Sequence, residues 1–177
     1  MKQLLLSLSL LILFAACRKT TTPPNPNEEE LITTFRIDFT DSAGVQPNVT
    51  AIYRDTDGDG GNNPTQWDSI RLKANTTYLA SILLLDESKS PADTISKEVL
   101  EEAAEHLLCF TPTTPGVSVQ RTDSDGTFEL GLQSKWKTGP VGNGTARIVL
   151  KHQPGSKNGS CDPGDTDIDL SFPLFVD

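Results

Sequence analysis

Six consecutive residues, Asp55-Thr56-Asp57-Gly58-Asp59-Gly60, carry the densest set of hard oxygen donors in the chain. Carboxylates at alternate positions, with glycine at the sixth, match the first half of a calcium loop, in which a tight turn gathers oxygens around the ion. The twelfth position of such a loop holds a bidentate glutamate. Here it is Gln66, and Asp68 comes two residues late. The plainer reading is a β-connection rich in Asp and Gly because both tolerate turn geometry. A second constellation joins Glu101, Glu102, Glu105 and His106 with His152 and with Asp165, Asp167 and Asp169, whose alternation on a strand would put all three on one face. Glu105, His106 and His152 are nitrogen and oxygen donors of the kind zinc or copper takes. The chain has no His-Glu-x-x-His and no paired-cysteine spacing, and a histidine beside carboxylates also serves as an ordinary hydrogen-bonded residue. A Gly-x-Ser-x-Gly elbow, a phosphate-cradling glycine loop and a Cys–His pair in a recognised context are all missing, so the expectation is a non-catalytic protein.

The remaining chemistry belongs to cysteine. Residues 4–17 read LLLSLSLLILFAAC after a single lysine, Lys2. An apolar run of 13 residues, from 4 to 16, is short of the ~20 that span a bilayer and has the layout of a secretory signal. Phe14-Ala15-Ala16-Cys17 resembles the lipobox of bacterial lipoproteins, with phenylalanine at the usual leucine position. That resemblance implies acylation of Cys17, cleavage before it, and a mature protein held on a membrane by lipid. Cys109 and Cys161 then remain, either as a disulfide formed in an oxidising compartment or as two unpaired cysteines.

Residues 1–16 are thus expected to be a signal peptide and 17–30 a lipidated cysteine with a flexible Thr/Pro/Asn tether, in which Glu28-Glu29-Glu30 forms a solvated entry. Residues 31–177 make the domain. Removing the signal leaves 161 residues, one domain's worth, with a net charge of −10. Such a surface excludes nucleic acid as a partner and favours cations. Alternating segments at 31–39, 49–54, 67–73, 77–85, 106–110, 117–120, 127–136, 145–152 and 167–176 predict strands separated by Gly, Pro and Asn turns. Ser96 is the expected N-cap of the one helix, over 97–105, with Val99, Leu100 and Ala103 as its buried stripe. Trp67, Trp136, Tyr53 and Tyr78 are expected to fill the core. The fold class is all-β, a two-sheet immunoglobulin-like β-sandwich with one short helix.

Glu28 to Thr34, Asp57-Gly58-Asp59-Gly60-Gly61, Ala74 to Tyr78, Glu101 to His106, Lys151 to Gly155 and Gly164 to Asp169 together resemble a family of small bacterial lipoproteins named "type 1 periplasmic binding fold superfamily protein". The likeness covers most of residues 28–176. After His106 the family tends to have Gln-Phe-Phe, whereas this chain has Leu107-Leu108-Cys109. Two α/β lobes, the fold in that name, require an alternation of strands and helices that this sequence lacks. The resemblance implies an accessory role in uptake beside an outer-membrane receptor. Arg18, where an aspartate would retain a lipoprotein at the inner membrane, points to the outer membrane and its periplasmic side. The expected function is a lipid-anchored binding or accessory module in receptor-mediated nutrient or metal uptake, with calcium as the candidate ion. Its rivals are a structural or adhesive envelope protein without ligand and a hydrolase with an unrecognised site.

Overall fold

Phe35, Ile37 and Phe39 are fully buried while Arg36 and Asp38 between them point outward and pair with each other, so the period of two makes β1 (Thr34–Asp41) a half-buried strand. The same pattern recurs along the computed structural model, which describes residues 30–58 and 61–177. The elements in order are β1, β2 (Val49–Arg54), β3 (Gln66–Trp67), β4 (Ile70–Leu72), β5 (Thr77–Leu85), α1 (Ile95–Glu101), β6 (His106–Pro112), β7 (Ser118–Arg121), β8 (Gln133–Lys137), β9 (Gly142–His152) and β10 (Asp165–Val176). Six form one sheet in the order β3-β2-β1-β5-β8-β7, and four form a second in the order β4-β10-β9-β6. Every pairing is antiparallel except β4 with β10.

The two sheets face each other across one apolar core, as in a β-sandwich. Phe35 of the first meets Phe172 of the second at 5.6 Å between ring centroids, and Trp136 meets Phe110 at 5.8 Å. Trp136 also packs edge-on against Phe39, and Tyr78 closes the same cluster. Fully burying such side chains stabilises by ~1.5–3 kcal/mol each relative to exposure. Helix α1 lays Ile95 and Val99, one turn apart, against β5.

Several predicted elements shift. The helix starts earlier, with Thr94 rather than Ser96 at its N-cap, and ends at Glu101, so Glu105 lies beyond it. Leu100 is 57% exposed; the buried face is Ile95 and Val99, with Ala103 half-buried against the core. Residues 67–73 divide between the sheets. The Asp68 carboxylate accepts the Ile52 N–H and its own N–H goes to the Ile52 carbonyl, which ends pairing with β2 and sends the chain across to β4. Residues 127–132 are no strand, because the Asp123 carboxylate accepts the Gly131 and Gln133 N–H groups that a ladder would have used. Trp67 is 52% exposed and Tyr53 half-buried, so only Trp136 and Tyr78 of those four rings fill the core.

Residues 153–164 form a long connection fastened at three points. Cys161 is disulfide-bonded to Cys109 on the outer face of β6, with Cα atoms 6.1 Å apart. Lys157 donates to the Ala103 carbonyl (2.7 Å) and to Asp125 (2.8 Å), whose carboxyl is lowered to about 2 chiefly by that lysine. Gln153, fully buried, donates to the Ser160 and Pro163 carbonyls. The disulfide closes 52 residues, and chain entropy assigns such a loop about 4 kcal/mol at most. A Cys109→Ala/Cys161→Ala variant should lose about 2–4 kcal/mol in urea unfolding. An unchanged midpoint would mean that Lys157 and Gln153 already hold the connection.

Candidate functional site

One end of the sandwich concentrates the polar chemistry. His106 and His152 are direct cross-strand partners on β6 and β9, and their rings stack at 4.7 Å and 7°. Both are buried, at 0% and 6% exposure. His106 Nδ1 lies 3.2 Å from the Glu102 carbonyl, which only accepts, so Nδ1 carries the proton. Its Nε2 is 3.9 Å from Asp167, and His152 Nε2 is 3.6 Å from Glu105. Burial, above all, lowers the His106 pKa; His152 adds to this and the Glu102 hydrogen bond opposes it.

Asp167 reaches this pair through a break in the ladder. The β9–β10 register shifts between Thr166 and Ile168, leaving Asp167 the extra residue of a bulge, with its side chain fully buried. The bulge overturns the expectation that Asp165, Asp167 and Asp169 share a face. Asp165 is exposed, and Asp169 is gripped by Arg147 at 2.9 and 2.6 Å. Just before β10, Gly164 passes the His152 carbonyl so closely that an added Cβ would stand 2.0 Å from its oxygen, and its φ is +82°.

Beside this pair opens a cleft of about 380 Å³ between residues 30–32 ahead of β1, the end of β2 and the first half of β10. Its carboxylates are Glu30, Asp55, Asp167 and Asp169; Leu31, Ile32, Tyr53, Ile168 and Leu170 make its apolar walls. Asp55 is 5% exposed. The Tyr53 hydroxyl donates to its Oδ2 at 3.3 Å, while Oδ1 is buried with no hydrogen-bond partner among the described residues. The Glu30 pKa is raised, first by burial and then by Glu98, Asp167 and Glu102. Glu30 is therefore half-buried in a negative field, not the solvated entry expected of its triplet. No lysine or arginine pairs with Glu30 or Asp55 among the described residues. β4 covers β10 only over Leu174–Val176, so residues 165–173 have no ladder partner on the cleft side among the described strands.

Of the proposed calcium ligands, Asp55 and Asp57 are described and Asp59 lies outside the described residues, as does Cys17. Asp57 accepts from the Asn62 backbone (3.0 Å) and side-chain amide (2.6 Å), hydrogen bonds that lower its pKa and close the loop. Glu105, His106 and His152 do come together. Even so, among the described residues no three or more His, Cys, Asp or Glu are grouped to hold a metal ion. Sequence reasoning missed Glu30, read as solvated, and Asp167's inward turn, since a bulge leaves no mark on alternation.

Among the described residues no helix is long and apolar enough to cross a membrane. No family model matches the chain. No curated protein and no solved structure matches it either.

Two outcomes test this geometry. Because the folded His106 pKa lies below the ordinary 6.5, the unfolded chain binds that proton more readily. Its contribution to stability is complete above about pH 6.5 and is lost as the pH falls through the folded value. Nitrogen-detected NMR should show His106 more than half neutral at pH 6.5, as the Nδ1–H tautomer; a mainly charged imidazolium at that pH would contradict the burial argument. Gly164→Ala should cost roughly 1–3 kcal/mol in thermal unfolding, since both the left-handed backbone and the His152 carbonyl oppose a side chain.

Proposed function

We propose that this chain is a lipid-anchored envelope protein, of broadly immunoglobulin-like build, acting as a non-catalytic binding or accessory module for a cationic solute, as in receptor-mediated nutrient or metal uptake. The observation that carries the binding reading is the cleft beside the histidine pair, where Asp55 is buried and Glu30 half-buried with no lysine or arginine partner for either among the described residues. Removing a carboxylate from water is unfavourable unless something positive meets it, so such a site is built for an incoming cation. A volume of about 380 Å³ falls in the range of small-solute sites.

The anchoring reading rests on Cys17 at the end of its apolar run. Twelve residues lie between Cys17 and Glu30, thirteen Cα steps with a contour of at most ~45 Å. The cleft would thus open at the end of the sandwich where the tether enters, within reach of the outer membrane's periplasmic face and of a receptor embedded there. Two or three acyl chains on Cys17 would make the attachment stable, at ~0.8 kcal/mol per buried methylene.

Labelling cells with a clickable fatty acid should mark the wild type and leave the Cys17→Ser variant unmarked, with that variant moving from the membrane to the soluble fraction. An unmodified thiol in the mature wild-type protein, read by mass spectrometry, would overturn the anchor. Loss of cross-links to every outer-membrane protein would count against the accessory role while leaving solute binding to be tested directly.

A further inference from the structure

We propose that the cleft takes a primary organic amine, an ammonium group carried on a hydrocarbon body, rather than a bare metal ion. This rests on reading the cleft as a cation site and narrows the ligand within that class. The disposition of the donors decides between the two. A divalent metal needs six or more oxygens converging at one point, at 2.3–2.6 Å for calcium. Among the described residues no three carboxylate, histidine or cysteine side chains are so grouped. The carboxylates stand instead around the wall: Glu30 from the entering chain, Asp55 from the end of β2 and Asp167 from the bulge in β10.

An ammonium group asks for something different. It offers three N–H donors in separate directions and needs a separate acceptor for each. Asp55 supplies one in the buried Oδ1 that has no hydrogen-bond partner among the described residues. Glu30, which lines the same cleft from the segment before β1, supplies another. Residues 166–170 supply the third, because they line the cleft along the side of β10 that no described strand covers, where backbone carbonyls are open to an outside donor. Asp169 is already matched by Arg147 and contributes only to the field.

The rest of the wall suits the body of such a molecule. Leu31, Ile32, Ile168 and Leu170 give it apolar surface, and a hydrated metal ion gains nothing from burial against hydrocarbon. Tyr53 adds a ring held edge-on by Trp67 at 5.3 Å, so the aromatic wall is fixed in orientation. The space of about 380 Å³ is far larger than one ion and fits an alkylamine or an amino-acid side chain.

Titration calorimetry on the full-length mature protein tests the assignment with four probes: 1,5-diaminopentane, tetramethylammonium, calcium chloride and zinc chloride. The diamine should bind, and tetramethylammonium, which has charge and carbon but no N–H donor, should bind at least about tenfold more weakly. Asp55→Asn and Glu30→Gln should each weaken the diamine about tenfold or more, while Glu101→Gln, on the exposed side of α1, leaves it unchanged. Melting curves of the variants report whether each remains folded, and Glu30→Gln, at the half-buried mouth, keeps the test open if Asp55→Asn does not fold. Binding of calcium or zinc alone, abolished by the same substitutions, would overturn the amine while the cation reading stands. Equal binding of tetramethylammonium, or diamine binding indifferent to both substitutions, would overturn the amine site. Failure of all four probes would overturn both readings together.

Discussion

The contact between the two inward faces, Phe35 on Phe172 and Trp136 between Phe39 and Phe110, sets the spacing from which the rest of the molecule follows. Large rings hold sheets roughly 10 Å apart and leave no room for water along the middle of the sandwich. Where the rings stop, the spacing persists but the filling changes. At the end bearing Glu30, the histidine pair, Asp167 and the cleft occupy the layer that phenylalanine occupies further along. The chemistry of the site is therefore a consequence of where the aromatic core gives out. Dry walls on either side keep the carboxylates poorly hydrated, as the raised Glu30 pKa reflects.

Much of the fold was legible because alternation is a strong signal. The stretch TFRIDFTD carries its inward and outward faces in plain order, and so does TYLASILLL. The all-β character with one short helix followed from such segments. What escaped was set by side-chain hydrogen bonds that compete with the ladder. Asp68 and Asp123 each take backbone N–H groups that would otherwise extend a strand, and nothing in the local pattern marks which aspartates do so. Exposure of Leu100 and Trp67 is likewise a matter of which neighbours arrive, and the sequence of a segment does not list them.

The site was half legible. His106, His152 and Glu105 were picked out as a group by residue type, and they do meet, since His106 and His152 fall opposite each other in the β6–β9 register. Asp55 was picked for its place in an acidic loop, although its significance is different: it is buried in the cleft wall, while Asp57 beside it is the one that Asn62 engages. Glu30 was unreadable because a triplet of glutamates next to a tether looks solvated, and only the fold brings Glu98, Glu102 and Asp167 near it. Electrostatic crowding is a property of three dimensions.

The direction of β10 has a consequence for how the molecule is displayed. That strand begins at the cleft and runs the whole length of the sandwich before Asp177 is clasped by backbone hydrogen bonds to Leu72 and Ala74. Twelve residues at ~3.3 Å each make β10 roughly 40 Å long, so the cleft and Asp177 lie toward opposite poles of that strand. On the proposed anchor, the pole bearing the cleft looks back toward the lipid, and the carboxyl end projects outward. A reporter joined there would stand clear of both membrane and ligand.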